Sequence, residues 1–251
     1  KPEGVVLPPH MQAVVERASR VHADHVDELA RAIAREMAPA HAQATPQQQR
    51  RLDLFASHSL RRTRPYHQEP THFHYPGLPE LEFHDREDAP WLAELEAMTD
   101  VIQSEFEAVV NAEAAELVPY ITYPDDLPLR QWAELNQSRK WTAIHLLNRG
   151  SLVEANARHC PRTMEALRSV PQPDIPGRSP NAMFSLLAPR TRIPPHSGVA
   201  NIRLVGHLPL IIPEGCAFRV GNETRPWKRG EAWVFDDTIE HEAWNDSDEL
   251  R

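Results

Sequence analysis

Cysteine is almost missing from this chain: Cys160 and Cys216 are the only two in 251 residues. They cannot build a disulfide framework, and no metal-type cysteine spacing exists, so both are expected to be packing residues. Long apolar runs are lacking as well. None approaches the roughly 18 residues needed to span a bilayer. The opening Lys1-Pro2-Glu3-Gly4 lacks the apolar segment of a secretory signal. The expectation is a cytoplasmic, reducing location without membrane association. Positive charge is in deficit, with 27 Lys and Arg against 36 Asp and Glu and a net charge of -9. That argues against a nucleic-acid partner, which needs a basic face. It leaves room for a small anion, because a local cluster of Arg and His binds one on an acidic protein. What is abundant is proline, at 24, and histidine, at 14, over a hydrophobic content of 41% that supports a real core.

From Met11 to about Met37, Val14, Val15, Ala18, Val21, Val26, Leu29, Ile33 and Met37 recur at helical spacing in a segment rich in Ala, Glu and Arg, which predicts one long or two shorter amphipathic helices. Thr45-Pro46 reads as an N-cap and first-turn proline opening a short helix through Leu52 and Phe55. Residues 64–86, rich in Pro and His, keep no period and read as an irregular, surface-lying connection. The His22/His25 pair and His72-Phe73-His74 have metal-compatible spacing. Among 14 histidines, such pairs arise by chance. Asp88-Ala89-Pro90 opens the clearest helix, with Trp91, Leu95, Met98, Ile102, Phe106 and Val109 as its core stripe. A turn is expected at Pro124-Asp125-Asp126-Leu127-Pro128, a strand at 141–147 and a helix from Pro161. Strand-like runs then follow at 182–188, 201–213, 216–221 and 231–236, cut by turns such as Pro213-Glu214-Gly215 and Gly221-Asn222. Helices come first and an all-β sandwich or barrel second.

The last third concentrates the chemistry. His196 and His241 are far apart in sequence, each at a strand edge, as in a β-barrel metal site. The two-histidine, one-carboxylate triad that leaves positions open on Fe(II) is the relevant template. Here, however, Gly198 fills the slot where its carboxylate is expected. Either the histidines are not a metal pair, or a metal is held by two protein ligands with water in the third place. Arg203, Val205 and His207 share parity on one run, and inward basic residues are costly unless they meet an anion. Ser185 adds a hydrogen-bond donor. Arg251 comes ten residues after His241, where a guanidinium can take a carboxylate in bidentate fashion. One carboxylate on a metal and another on an arginine describe 2-oxoglutarate. Asp236-Asp237 are expected to bond turn amides, and Trp141 is core with a possible substrate contact.

The strings Pro195-His196-Ser197-Gly198, His207-Leu208-Pro209-Leu210, Asn222-Glu223-Thr224 with Trp227, Phe235-Asp236-Asp237, His241-Glu242 and Trp244-Asn245 resemble the catalytic domain of the aspartyl/asparaginyl β-hydroxylase family. A weaker likeness reaches back to Trp141 and Cys160-Pro161. The resemblance implies a fold that is mainly β with N-terminal helices, built on a double-stranded β-helix (jelly-roll, cupin-like) core. The division it suggests is 1–87 for a helical region with its linker and 88–251 for the oxygenase domain. It implies Fe(II) on His196 and His241 without a carboxylate ligand. It also implies 2-oxoglutarate held distally by Ser185 and Arg251, with His207 near the metal-side carboxylate. Many members carry an arginine where this chain has Val205, and Arg203 is the expected substitute. The family also continues past the counterpart of Arg251 into another apolar strand.

The function so implied is hydroxylation of an unactivated C–H bond, at the β-carbon of an Asp/Asn-type residue of a small-molecule or polypeptide substrate. Relatives that hydroxylate lipid acyl chains would lead one to expect a membrane-associating segment. A non-catalytic cupin-like binding module is the rival from another class, since His241 followed by Asn245 resembles a cupin ending. Ser185 and Arg251 favour the oxygenase, because a plain cupin needs no carboxylate grip.

Overall fold

The computed structural model describes residues 7–111, 116–124, 126 and 128–251. Lys1–Gly4, and Asp125 and Leu127 of the expected turn, lie outside the described residues. The chain forms two compact units, Lys1–Pro65 and Tyr66–Arg251.

In the first unit the Ala-rich periodicity yields one continuous helix, α1 (Pro9–Gln43), which tolerates Pro39 near its end. Helix α2 (Pro46–Ser59) follows. Thr45 starts it with a capping box, its side chain accepting from the Gln48 N–H while the Gln48 side chain accepts from the Thr45 N–H. Two donors that helix geometry would orphan are thereby satisfied, and Pro46 needs none. Neither helix buries a residue.

In the second unit the 88–109 stripe is borne by two helices, α3 (Leu92–Ala97) and α4 (Thr99–Val110), rather than one. At the break the Thr99 hydroxyl donates to the Glu96 carbonyl, giving it an alternative to the helical ladder. The apolar phase survives, and Leu92, Ile102, Phe106 and Val109 are buried. Next come β1 (Leu117–Pro119), β2 (Trp141–Asn148), β3 (Ser151–Leu152), α5 (Glu154–Ala157) and α6 (Pro161–Ser169). The remaining elements are β4 (Ala182–Leu187), β5 (Thr191–His196), β6 (Val205–His207), β7 (Cys216–Val220), β8 (Glu223–Pro226), β9 (Trp233–Phe235) and β10 (His241–Asn245). All strand pairings are antiparallel: β1, β3 and β4 against β2, then the order β5-β10-β7-β8, and β6 with β9. The expected mainly-β architecture with N-terminal helices is present. Among the described residues no helix is long and apolar enough to cross a membrane.

Three departures from the sequence reading have physical causes. Only Val205–His207 of the 201–213 run is strand. Prolines 209 and 213 cannot donate to a ladder, and at Asn201 the side chain instead binds the Tyr75 N–H and carbonyl. Strand β5 forms despite Pro194 and Pro195 because it is the edge of its sheet, where missing donors cost least. The 64–86 stretch is irregular as expected but does not simply lie on the surface. Gln68 and Phe83 are buried, and bridges at Gln68–Ile239, Phe73–Ala200 and Phe83–Phe235 sew the strap to the strands.

The pleat of β2 and β4 divides the core in two. Ile144, Leu146, Phe184 and Leu186 face α4 and α6 with Phe106 and Cys160. Trp141 and Leu187 point the other way and join Ile193, Phe218, Trp227, Trp233 and Phe235. Both cysteines are buried and free.

Asp236, fully buried, fixes the strap to the turn before β10. One carboxylate oxygen accepts from the N–H and hydroxyl of Thr238, and the other from the Gln68 amide. Gln68 in turn accepts from Asn201. Removing the carboxylate strands three buried donors. Asp236→Ala is therefore expected to lower stability by about 3 kcal/mol in urea unfolding. A loss under about 0.5 kcal/mol, the range of an ordinary surface change, would mean this network holds nothing together.

Candidate metal and anion site

The register of β5 and β10 sets His196 directly opposite His241, and the imidazole centroids lie 4.0 Å apart. A β-bulge between His241 and Ala243 re-aims the strand at this point. Each ring bonds through Nδ1 to the backbone carbonyl two residues earlier, Pro194 at 2.8 Å and Ile239 at 3.0 Å. A carbonyl only accepts, so both Nδ1 atoms carry the proton and both Nε2 lone pairs stay available to a metal. Burial lowers both pKa values, that of His241 to about 3 with the neighbouring His196 contributing. Two neutral imidazoles with fixed tautomers form a donor set suited to a divalent transition metal. Among the described residues no group of three or more His, Cys, Asp or Glu side chains converges on a metal-sized point.

Asp237 packs against Gly198, two residues after His196. A Cβ added at Gly198 would sit 2.3 Å from Asp237 Oδ2, so any other residue must push that carboxylate aside. Asp237 is buried, and its pKa is raised by desolvation against the pull of Arg203. Oδ2 accepts from Arg203 at 2.9 Å, while Oδ1 is buried without a hydrogen-bond partner among the described residues. Asp237 therefore does more than bond turn amides. Arg203 reaches it from the turn before β6, not from the strand that parity had assumed. Val205 packs against the apolar core.

Arg251 arrives beside Leu187, exchanging both backbone hydrogen bonds with it. Asn245 makes that possible: its amide donates to the carbonyls of Leu187, Ala188 and Glu249, while its oxygen accepts from Ser247 and Cys216. The Arg251 guanidinium lies 3.6 Å over the Trp227 ring, and burial pushes its pKa down to about 10. Ser185, His207, Trp227, Leu250 and Arg251 share the lining of one cavity of about 150 Å³. His207 is neutral, with burial and then Arg251 holding its pKa near 3. Ser185 accepts from the Trp141 indole N–H at 3.0 Å.

Two aromatic residues near the histidines gave no signal in the sequence. Trp132 meets His196 edge-on at 5.0 Å, and Tyr120 stacks on Trp141 at 3.7 Å. Both come from irregular stretches in which no period marks a face. The exposed His72 side chain shares a hydrogen bond with its neighbour Thr71, and His22 and His25 lie exposed on α1.

The profile of the aspartyl/asparaginyl beta-hydroxylase family matches residues 96–251. The chain is 35% identical over 171 residues to the ornithine lipid ester-linked acyl 2-hydroxylase of Rhizobium tropici, covering 67% of this chain and 57% of that protein. It is 35% identical over 129 residues to human aspartyl/asparaginyl beta-hydroxylase, covering 51% and 16%. It is 33% identical over 185 residues to human aspartate beta-hydroxylase domain-containing protein 2, covering 73% and 48%. The matched part thus spans 57% or less of each of these relatives.

Two outcomes test the geometry. Gly198→Ala must displace the Asp237 carboxylate from Arg203, so a loss of about 1–3 kcal/mol is expected in chemical denaturation. A neutral result would show that the contact is loose. His207 binds a proton near pH 6.5 when unfolded but only near 3 when folded. Its contribution to stability is thus complete above 6.5 and is lost as pH falls towards 3. The urea midpoint is expected to drop from pH 6.5 to 4.5, with a shallower slope in His207→Gln. An unchanged slope in that variant would contradict the assignment.

Proposed function

We propose that the chain, a member of the aspartyl/asparaginyl beta-hydroxylase family two of whose relatives above are named as hydroxylases, is a 2-oxoglutarate-dependent dioxygenase that uses Fe(II) at His196 and His241. The observation that carries the reading is the cross-strand histidine pair, with both Nδ1 protons committed to carbonyls and both Nε2 atoms free. The three antiparallel sheets are read as the jelly-roll core of such an enzyme, with 88–251 as the oxygenase domain.

The donor set fits the metal. Asp237 Oδ1, buried beside Gly198 and unpartnered among the described residues, is an acceptor that a bound water would satisfy. Arg251, with Ser185, would take the distal carboxylate of 2-oxoglutarate, and His207 would face the carboxylate near the metal. Bound Fe(II) with 2-oxoglutarate and O2 supplies an oxidant for an unactivated C–H bond: substrate C–H, 2-oxoglutarate and O2 become substrate C–OH, succinate and CO2. The protein's own part is to keep the imidazoles neutral, grip the dicarboxylate and exclude water with Trp132, Tyr120 and Trp141. Trp141 is also the proposed substrate contact.

The substrate proposed first is an Asp- or Asn-type β-carbon in a small molecule or polypeptide, with Arg203 as the cation at hand. A second reading, hydroxylation of an acyl chain, is favoured by two observations. Arg203 is already held by Asp237. In addition, Val199, Ile202 and Leu204, in the segment leaving His196, are exposed apolar residues next to the equally exposed Phe73.

Succinate production from 2-oxoglutarate with added Fe(II) is expected for wild type and is expected to vanish in His196→Ala and His241→Ala. Arg251→Ala is expected to raise the 2-oxoglutarate requirement about 10–100-fold, the worth of a charged hydrogen-bonded pair, with iron binding intact. Lack of metal-dependent turnover with both aspartyl peptides and acylated amphiphiles would sink the proposal.

A further inference from the structure

Arginines on and beside the strands around the site are neutralised in the ordinary way. Arg190 pairs with Asp248, Arg192 with Asp246, and Arg219 with Glu240 and Glu242. Arg251 is different. It is half-buried, it lines the cavity with Ser185 and His207, and no carboxylate side chain among the described residues pairs with it. What it has instead is the face of Trp227, with the guanidinium carbon 3.6 Å from the indole centroid. The indole itself is buried and held in a parallel stack, 5.3 Å from Phe218 at 28° and 5.9 Å from Trp233 at 16°. Its centroid is also 6.3 Å from that of His207.

A cation drawn partly out of water against a cavity wall needs compensation. A protein carboxylate would provide it, but would occupy the N–H donors that an incoming carboxylate must use and would compete with it. A ring quadrupole attracts the cation without accepting from those donors. From this we infer that Trp227 is a positioning residue of the anion subsite: its ring face holds the Arg251 guanidinium in place of an acidic partner, and so sets the affinity and selectivity of the subsite for a distal carboxylate. This rests on the co-substrate reading given above.

The test uses the full chain loaded with Mn(II) under anaerobic conditions. Calorimetry measures the binding of 2-oxoglutarate and of 2-oxobutyrate, a 2-oxo acid without the distal carboxylate. Trp227→Leu is expected to weaken 2-oxoglutarate about tenfold and Trp227→Phe about threefold, the order of a desolvated cation–π contact. Binding of 2-oxobutyrate is expected to stay unchanged in both. In an Arg251→Gln background, Trp227→Leu is expected to have no further effect, as a coupled pair requires. Unchanged 2-oxoglutarate binding, or equal loss of both acids, would overturn the inference and leave Trp227 a packing residue. If the leucine variant does not fold, the phenylalanine variant, which keeps a ring in the stack, carries the same comparison. A wild-type protein that takes up neither acid would overturn the co-substrate reading itself, and this inference with it.

Discussion

Two antiparallel strands hold His196 and His241 face to face, and the neutrality of that pair is the constraint the second unit is built around. Charging either ring would put a cation beside its neighbour in a desolvated site. The fold prevents this by burial and by committing each Nδ1 proton to a carbonyl of its own strand. Neighbouring features serve the same end. The strap through Gln68, the buried Asp236 and the Thr238 turn fix where β10 begins. Asn245 fixes where it ends. The strand they delimit, His241–Asn245, has five residues, and its register decides which side chain faces His196.

Charge around the pair is handled in two ways. Asp237 and Arg203 neutralise each other beside Gly198 and leave one carboxylate oxygen without a partner. Arg251 has no carboxylate side chain as partner among the described residues and lies over an indole. Both arrangements keep polar groups in reserve at buried or half-buried positions, which costs stability unless something binds. The proposed co-substrate, a metal chelator with a second carboxylate, would satisfy the cation in the cavity that Ser185 and His207 also line.

Much of this was legible in the residues, for reasons that differ by element. The Thr45–Gln48 box and the 91–109 stripe depend on local chemistry, and both appear, although the stripe is divided at Met98. Strands β2 and β4 are marked by apolar pleats bounded by turns. The histidines and Arg251 were legible as a set of strings in order. Asp237 was not, because its position is defined by contact with Gly198, which only the folded turn creates. Strand β5 was obscured by its two prolines, which only an edge tolerates. Tyr120 and Trp132 come from stretches with no period, and Arg203 was placed on a strand that starts two residues later.

The account turns on whether the two imidazoles hold iron. Anaerobic Fe(II) uptake, measured by equilibrium dialysis, addresses that without reference to substrate. The account predicts one equivalent bound by the wild-type chain and loss of that binding in His196→Ala and in His241→Ala, with both variants still folded. A wild-type chain that binds no Fe(II), or variants that bind it as well as wild type, would contradict it.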